Sequence, residues 1–430
     1  MGPLAFVIFL GLAVAAGAEG PTATASARRM EQRIQALAQF GANPDGGVSR
    51  VAFSEADLAG REYIKGLMRE AGLRVSVDTA GNIIGRREGR EPGLPAILFG
   101  SHVDSVPGGG NYDGDLGVLG GIEVAQLLLD HKIETRHPLE VVVFTDEEGG
   151  MVGSLAMTGR GQGVALDAVS HSGKTIRDGV RAVGGDPDRL DLAQRKPGET
   201  LAFIELHIEQ GAFLHDEGIP IGVVEGIVGI RWWEVAVEGV ANHAGTTDMS
   251  RRRDALVSAS ELVLAVNRIA TTLPGRQVAT VGQIRAEPGA PNVIPGRVVM
   301  SLEIRDLAAE RIQEVFDAIG AEAGRIAAAR QTPIRFRESF SVAPAPTDER
   351  MRQIIASSAG DLGLRYKLMP SGAGHDAQDM AHIAPTGMVF VPSALGISHS
   401  PKEYTSPEDM ANGVNVLLRT VLAVDGGALK

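Results

Sequence analysis

The stretch GSHVDSVPGGGNYDGDLG (residues 100–117) follows a short apolar run at residues 96–99. Such a run, bounded by proline and glycine, is typical of a strand that is buried on both faces of an α/β sheet. His102 and Asp104 therefore lie just past the carboxyl end of a strand, where open α/β sheets bind their ligands. Imidazole and carboxylate groups bind divalent metals, and Asp113 can return to the same point after the glycine-rich turn. The sequence predicts the first half of a metal site here.

A second apolar strand, LEVVVF at residues 139–144, leads directly into a run of acidic residues that includes Glu147 and Glu148. Adjacent carboxylates at a strand end are unfavourable unless a cation lies between or beside them. If one of the two glutamates binds a metal, the other can stay free as a base. The residue pattern leaves open which glutamate has which role.

Two later strands deliver histidines in the same context. The segment LAFIELHIE (residues 201–209) is apolar at alternate positions and contains His207, and the apolar run at residues 388–391 precedes a polar loop that contains His399. Each histidine lies at or past the end of its own strand. We therefore expect both at the ligand-binding edge of the sheet, together with His102.

The spacing of the apolar residues predicts an α/β fold, a mixed sheet with helices on both faces. The predicted strands are at 73–79, 82–87, 96–100 and 139–144, and the predicted helices are at 28–40, 54–71 and 117–130. Between residues 215 and 331 the pattern changes to that of an inserted α+β domain, with two helices on a four-stranded sheet. Its predicted strands are one near residue 220 and those at 230–238, 278–286 and 297–305, and its helices are at 252–272 and 307–329. The catalytic domain would then consist of residues 28–214 and 332–430.

Composition excludes several classes of protein. A chain of 430 residues with 44% hydrophobic content can bury a large core and is long enough for two domains. Its net charge of −12 argues against a nucleic-acid partner. Because there is no cysteine, disulfides and thiolate ligands are excluded, and only histidines and carboxylates are left to bind a metal.

The N-terminus carries an apolar stretch at residues 4–18 that ends in Ala-Gly-Ala. Its length and its small-residue end predict a signal peptide at residues 1–18, followed by a linker at 19–27. It is too short to span a membrane, so no membrane partner is expected. The lack of Lys and Arg before it favours the alternative, a cytoplasmic protein with an N-terminal extension. Of the two, we favour export to the periplasm.

Beyond about residue 28, almost the whole chain resembles the hydantoinase and carbamoylase branch of the M20 metallohydrolases. That branch includes N-carbamoyl-L-amino-acid hydrolases and allantoate amidohydrolases. The resemblance rests on seven segments in the order of the family: GSHVDSVPGGGNYDG (100–114), FTDEEG (144–149), LHIEQG (206–211), ANHAGTTDMSRRRDA (241–255), PNVIPG (291–296), SGAGHDA (371–377) and SHSPKEYT (398–405). The chain departs from the family pattern at 151–152, Met-Val where Arg-Phe is common, and at Asp248, where Pro is usual.

This resemblance implies two divalent metal ions per subunit, either zinc or manganese or cobalt. Asp113 would bridge the two ions. His102 and His207 would complete the coordination of one ion, and Glu148 and His399 would complete that of the other.

Catalytic and substrate-binding roles follow from the same resemblance. Glu147 would be the general base, and Asp104 would orient His102. His243 would donate a hydrogen bond to the carbonyl oxygen in the transition state, from the partner subunit of a homodimer. The expected substrate contacts are His243, Gln210, Asn292, Gly374 and, as the clamp on a substrate carboxylate, Arg305.

The resemblance thus implies an amidohydrolase that cleaves a C–N bond of an N-carbamoyl-L-amino acid or related ureido acid. Allantoate is an alternative substrate. A plain amide, as in an M20 exopeptidase or aminoacylase, is a second alternative, against which His207, Gln210 and PNVIPG weigh. A third is a ureido-acid-binding protein without turnover, against which the free base Glu147 argues.

Overall fold

The computed structural model describes residues 23–429. The predicted signal peptide at 1–18 and the first part of the predicted linker lie outside the described residues, so export stays a prediction. Within residues 23–429, no helix combines the length and the apolar character that a membrane span needs. The first described helix begins at Ala27, after Ser26, whose hydroxyl accepts a hydrogen bond from the amide of Arg29 and so caps it.

The strands form one large sheet, one small sheet and a two-stranded ribbon. In chain order they are β1 (Arg74–Val77), β2 (Ile83–Arg87), β3 (Ala96–His102), β4 (Leu139–Phe144), β5 (Thr200–Ile208), β6 (Ile221–Ile227), β7 (Gly229–Glu238), β8 (Asn242–His243), β9 (Val278–Thr280), β10 (Ile284–Glu287), β11 (Val293–Ile294), β12 (Arg297–Asp306), β13 (Ile334–Val342), β14 (Ala345–Pro346), β15 (Tyr366–Ser371) and β16 (Thr386–Val391).

The helices pack on these sheets. They are α1 (Ala27–Leu37), α2 (Glu55–Glu70), α3 (Asp115–Asp130), α4 (Val152–Met157), α5 (Ile176–Ala182), α6 (Phe213–Glu217), α7 (Ala255–Thr272), α8 (Ala309–Arg330), α9 (Glu349–Asp361), α10 (Asp376–Met380) and α11 (Pro407–Asp425). On one face of the large sheet, α1, α2, α3, α9 and α11 share a core with the strands. On the other face, α4 and α10 pack against the strands through a second core. Helices on both faces of a mixed sheet confirm the predicted fold class.

The large sheet has the order β1-β2-β4-β3-β5-β16-β6-β14, and β15 also pairs with β6. Its four central strands, β4, β3, β5 and β16, are parallel to one another. All residues of β3, β4 and β16 are buried, as are eight of the nine residues of β5. The carboxyl ends of these four strands therefore lie at one edge of the sheet.

The small sheet has five strands, whereas four were predicted. It contains β10, β12, β7 and β13, and β9 also pairs with β12. The predicted strand at 278–286 is divided into β9 and β10 around Gly282, where Ser301 accepts hydrogen bonds from the main chain instead of a strand partner. The helices α7 and α8 cover one face, as predicted.

The predicted domain boundaries at residues 215 and 331 disagree with the sheets. The strand predicted near residue 220 is β6, which pairs with β14, β15 and β16 in the large sheet because its residues are buried on both faces. Conversely, β13 lies beyond residue 331 but pairs with β7 in the small sheet. Its apolar residues alternate with polar ones, as in a strand, but this pattern does not identify the sheet; the pairing with β7 does.

Candidate metal and active site

The carboxyl edge of the four parallel strands brings together the predicted ligands. His102 is the last residue of β3 and lies opposite Phe144 at the end of β4. His207, near the end of β5, is the pairing partner of Phe390 at the end of β16. The parallel register therefore places both histidines and the loops after β4 and β16 at one level of the sheet.

Two groups of potential metal ligands share one carboxylate, that of Asp113. In the first, Asp113 Oδ1 lies 3.0 Å from His207 Nε2 and 3.7 Å from His102 Nε2. In the second, Asp113 Oδ2 lies 3.1 Å from His399 Nε2, which is 3.3 Å from Glu148 Oε1. The five residues predicted as metal ligands are thus the members of these two groups.

The hydrogen bonds of the first group fit a cation. The Nδ1 atom of His207 lies 2.8 Å from the main-chain oxygen of Ile208, so it carries the hydrogen and leaves Nε2 as an acceptor. His102 has the same arrangement, with Nδ1 2.9 Å from the main-chain oxygen of Asp104. The Nε2 atoms of both rings face the carboxylate of Asp113, another acceptor, and His207 Nε2 also accepts from the amide of Gly114 at 3.2 Å. Acceptors that face one another in a buried site need a cation or a proton between them.

The charges of the site also favour a bound cation. Burial opposes protonation of His207, but the hydrogen bond and charge of Asp113 raise its pKa to about 9. The carboxylates of Asp113 and Glu148 likewise raise the pKa of His399 to about 10. Glu148 Oε1 is buried and has no hydrogen-bond donor among residues 23–429. A site that attracts protons this strongly also favours a divalent cation, whose charge would replace them.

Glu147 lies beside the first group without belonging to either. Its Oε2 is 3.6 Å from His102 Nε2. Burial and the charges of Asp376 and Glu148 raise the pKa of Glu147 well above its ordinary value. A cation in the neighbouring groups would oppose that shift and leave Glu147 as a carboxylate that can take up a proton.

Asp104 is adjacent to the site, but not in the way that was predicted. His102 is held by the main-chain oxygen of Asp104, whereas the carboxylate lies 3.9 Å from the ring. That carboxylate instead accepts hydrogen bonds from the amides of Glu147 (3.3 Å) and Glu148 (3.1 Å). It is these two amides, left free at the end of β4, that attract the side chain. Asp104 therefore links the ends of β3 and β4.

The predicted substrate contacts are dispersed. Gln210 donates to the shared carboxylate, with 2.7 Å between its Nε2 and Asp113 Oδ2. Arg305, on β12, reaches the loop after β15 and donates to the main-chain oxygen of Gly372 at 2.8 Å. Gly374 in the same loop is exposed, and a Cβ atom built on it would make an ordinary contact with Gln378 Oε1 at 3.8 Å.

His243 and Asn292 lie on the small domain, next to each other and exposed. His243 is the last residue of β8, which pairs with β11, and Asn292 directly precedes β11; the amide of Ala244 donates to the main-chain oxygen of Asn292. The amides of Gly245 and Thr246 donate to Nδ1 of His243 at 3.0 and 3.2 Å. These bonds leave the hydrogen of the neutral ring on Nε2, so His243 presents a donor to the solvent.

Sequence reasoning missed three buried residues around the ligands. Glu205 accepts from the hydroxyl of Ser101 (2.7 Å) and the amide of Ala377 (3.0 Å), and His375 packs edge-on against His207 at 4.5 Å between ring centroids. Glu205 could have been found from strand alternation, because it lies two positions before His207 and so on the same face. The third is Glu403, in the motif SHSPKEYT, which hydrogen-bonds to two ligand loops.

Residues 98–423 match the model of peptidase family M20/M25/M40. The chain belongs to this family. The M20 family is metal-dependent, in agreement with the two ligand groups.

Among its relatives in the M20 family, the N-carbamoyl-L-amino acid amidohydrolase of Geobacillus stearothermophilus is 43% identical over 91% of this chain and 97% of that protein. The allantoate amidohydrolase of Bacillus subtilis is 36% identical over 89% of this chain and 94% of that protein. Among solved structures, an amidase of the hydantoinase/carbamoylase family from Burkholderia multivorans superposes with a TM-score of 0.86. It is 39% identical, over 94% of this chain and 98% of that chain. The family and branch predicted from the motifs are thereby confirmed.

Proposed function

We propose that this chain is a metal-dependent amidohydrolase that cleaves a C–N bond of an N-carbamoyl-L-amino acid or a related ureido acid. The observation that carries the proposal is the pair of ligand groups that share Asp113, with the free carboxylate of Glu147 beside them. A carbamoyl amino acid and water would yield the amino acid, carbon dioxide and ammonia.

In this proposal His102, His207 and Asp113 hold one divalent ion, and Asp113, Glu148 and His399 hold a second. Such ions supply Lewis acidity, which lowers the pKa of water and polarises a carbonyl oxygen.

Glu147 removes the proton from the attacking water and passes it to the leaving nitrogen. Its distance from His102 places it beside the first ligand group.

The small domain supplies three of the proposed substrate contacts, and loops of the large sheet supply the other two. Arg305 binds the substrate carboxylate, since a guanidinium offers parallel donors that match it. Asn292, Gln210 and the main chain at Gly374 add neutral contacts. His243 donates from Nε2 to the carbonyl oxygen, and we propose that it does so across the interface of a homodimer.

The choice among ureido acids rests on similarity. The relative named for N-carbamoyl-L-amino acids is 43% identical and that named for allantoate is 36% identical, over similar shares of the chain. We therefore propose N-carbamoyl-L-amino acids as the substrate class, with allantoate as the alternative.

The test is an assay of the full chain after removal of metal with a chelator and reconstitution with Zn²⁺, Mn²⁺ or Co²⁺. Ammonia and amine release would be measured with N-carbamoyl-L-amino acids, their D enantiomers, N-carbamoyl-β-alanine, allantoate and dipeptides. We expect activity that depends on added metal and is highest with an N-carbamoyl-L-amino acid. Cleavage of dipeptides alone would refute the proposal, and a preference for allantoate would favour the alternative.

A further inference from the structure

Glu403 lies between the two loops that carry the shared ligand and the exposed ligand. Its Oε1 accepts from the amide of Tyr112 at 2.8 Å and from the amide of Asp113 at 3.1 Å. Its Oε2 accepts from the hydroxyl of Ser398 at 2.7 Å and from the amide of His399 at 3.3 Å. Each carboxylate oxygen is thus bound to one loop, and two of the four donors are main-chain amides of the ligands themselves.

The loop at residues 108–110 is shaped around this carboxylate. A Cβ atom built on Gly110 would overlap the carboxyl group of Glu403, so only glycine leaves room for it. The neighbouring Gly109 has no such conflict, since its Cβ would meet Val106 at 3.1 Å. Glu403 itself is only 4% exposed. Burying a carboxylate is unfavourable unless its hydrogen bonds compensate, so a merely space-filling role would suit an apolar side chain better.

We propose that Glu403 is a positioning residue that sets the separation of the Asp113 loop and the His399 loop, and thereby the affinity for the ion held by Asp113, Glu148 and His399. This inference rests on the metal site of the proposed function. His399 is the ligand that most needs such support. It is about half exposed and lies on a loop rather than in a strand, whereas His102 and His207 are buried at strand ends.

Glu403→Gln tests the role with almost no change in shape. A glutamine keeps one oxygen, so it can accept from the donors of one loop only, and its amide N–H groups face the donors of the other. Residues that orient metal ligands typically contribute about 10–100-fold to metal affinity. We expect that loss for Zn²⁺ in equilibrium dialysis, together with a changed visible absorption spectrum of the Co²⁺-loaded protein. The matched control is Glu408→Gln, an exposed glutamate in the first turn of α11, which should bind metal like the wild type.

Gly110→Ala provides a second, independent test, because it displaces the carboxylate without altering it. Its control is Gly109→Ala, one position earlier in the loop. Weaker Zn²⁺ binding by Gly110→Ala, with Gly109→Ala unchanged, supports the proposal even if Glu403→Gln fails to fold. Wild-type Zn²⁺ affinity and Co²⁺ spectrum in a folded Glu403→Gln, or in Gly110→Ala, would overturn it. Zn²⁺ binding is measured without substrate, so a wild type that binds Zn²⁺ but hydrolyses no ureido acid would refute the proposed function alone.

Discussion

The proposed site has a metal half, formed by the candidate ligands at the edge of the large sheet, and a substrate half, formed by contacts on the small domain. Equally clear motifs mark both halves, but only the residues of the metal half all lie close together in the structure. Within each group the candidate ligand atoms lie within 4.8 Å of one another, and His207 and His399 lie 3.0 and 3.1 Å from the carboxylate of Asp113. His243 and Asn292, in contrast, are exposed, and no hydrogen bond within residues 23–429 joins His243 to a metal ligand. One chain therefore brings together all five candidate metal ligands, but it does not bring His243 to them.

The difference has a physical origin in the topology. Parallel pairing of β3, β4, β5 and β16 fixes where each strand ends, and the ligands follow from that register. His243 depends on a ribbon of two short strands at the edge of the small domain. For the role proposed for His243, either a movement of that domain or a second chain would have to bring it to the candidate metal ligands. Arg305 occupies an intermediate place, because it already contacts the loop of the catalytic domain at Gly372.

Removal of the proposed general base, Glu147, should lower turnover more than any other substitution predicted here. Glu147→Gln keeps the size of the side chain but cannot accept a proton, so we expect turnover to fall by roughly 100- to 10,000-fold. Metal content and KM should stay near those of the wild type, because Glu147 belongs to neither ligand group. Steady-state kinetics and metal analysis of the same preparation check this. Substantial remaining turnover would remove Glu147 as the base.

His243→Ala removes the donor predicted to come from the substrate half. Loss of one such donor typically lowers kcat by roughly 100- to 1,000-fold, and we expect a decrease in that range. Metal affinity should not change, since His243 contacts no ligand. His131→Ala, an exposed histidine on the turn after α3, serves as the control.

Coexpression of His243→Ala with Glu147→Gln then decides which chain supplies the histidine. If His243 acts across a twofold dimer, a mixed dimer has one intact site, and random assembly should restore about a quarter of the wild-type activity. If His243 acts within its own chain, each site has a defect and the mixture stays inactive. The two outcomes separate a partner subunit from a domain movement.

The grouping of the candidate metal ligands could be predicted from the sequence because its signals are local. Buried apolar runs identify β3, β4 and β16, and ligand-type side chains lie at the end of each run or in the loop after it. The role of the Asp104 carboxylate could not be derived in this way, because the free amides of Glu147 and Glu148 that it accepts from belong to another strand. Glu403 was missed for the same reason, since two of its four donors, the amides of Tyr112 and Asp113, lie in a loop far away in sequence.

The boundaries of the small domain were predicted less well, because they depend on strand partners. The apolar sequence of β6 fits either sheet, and only its pairing with β15 and β16 assigns it to the large one. In β13, charged and polar residues alternate with apolar ones, and only the pairing with β7 assigns this strand to the small sheet. Periodicity locates elements along a chain, but it does not say which neighbour completes their hydrogen bonds.

Arg305→Ala should weaken substrate binding without weakening metal binding, and its effect should be smaller than that of His243→Ala. A hydrogen bond to a charged group contributes about 1.5–3 kcal/mol, so we expect KM to rise roughly 10- to 100-fold. Metal affinity should be unaffected. Arg305→Lys should recover only part of the loss, because an ammonium group cannot match a carboxylate with two parallel donors. Loss of metal in either variant would contradict the assignment of Arg305 to the substrate.

Glu303→Gln should have the smallest effect, and the sign of that effect is informative. Glu303 binds Nε and Nη2 of Arg305 at 2.8 and 3.1 Å, and it also accepts from Trp232. With Gly372 on Nη1, these contacts use three of the five N–H groups of Arg305 and leave one on each terminal nitrogen for a substrate carboxylate. If Glu303 orients the guanidinium, its loss should raise KM about fivefold, the equivalent of about 1 kcal/mol, with kcat and metal content unchanged. The control is Glu238→Gln, which affects only the ion pair with Arg335. A lower KM for Glu303→Gln would mean instead that Glu303 competes with the substrate for Arg305.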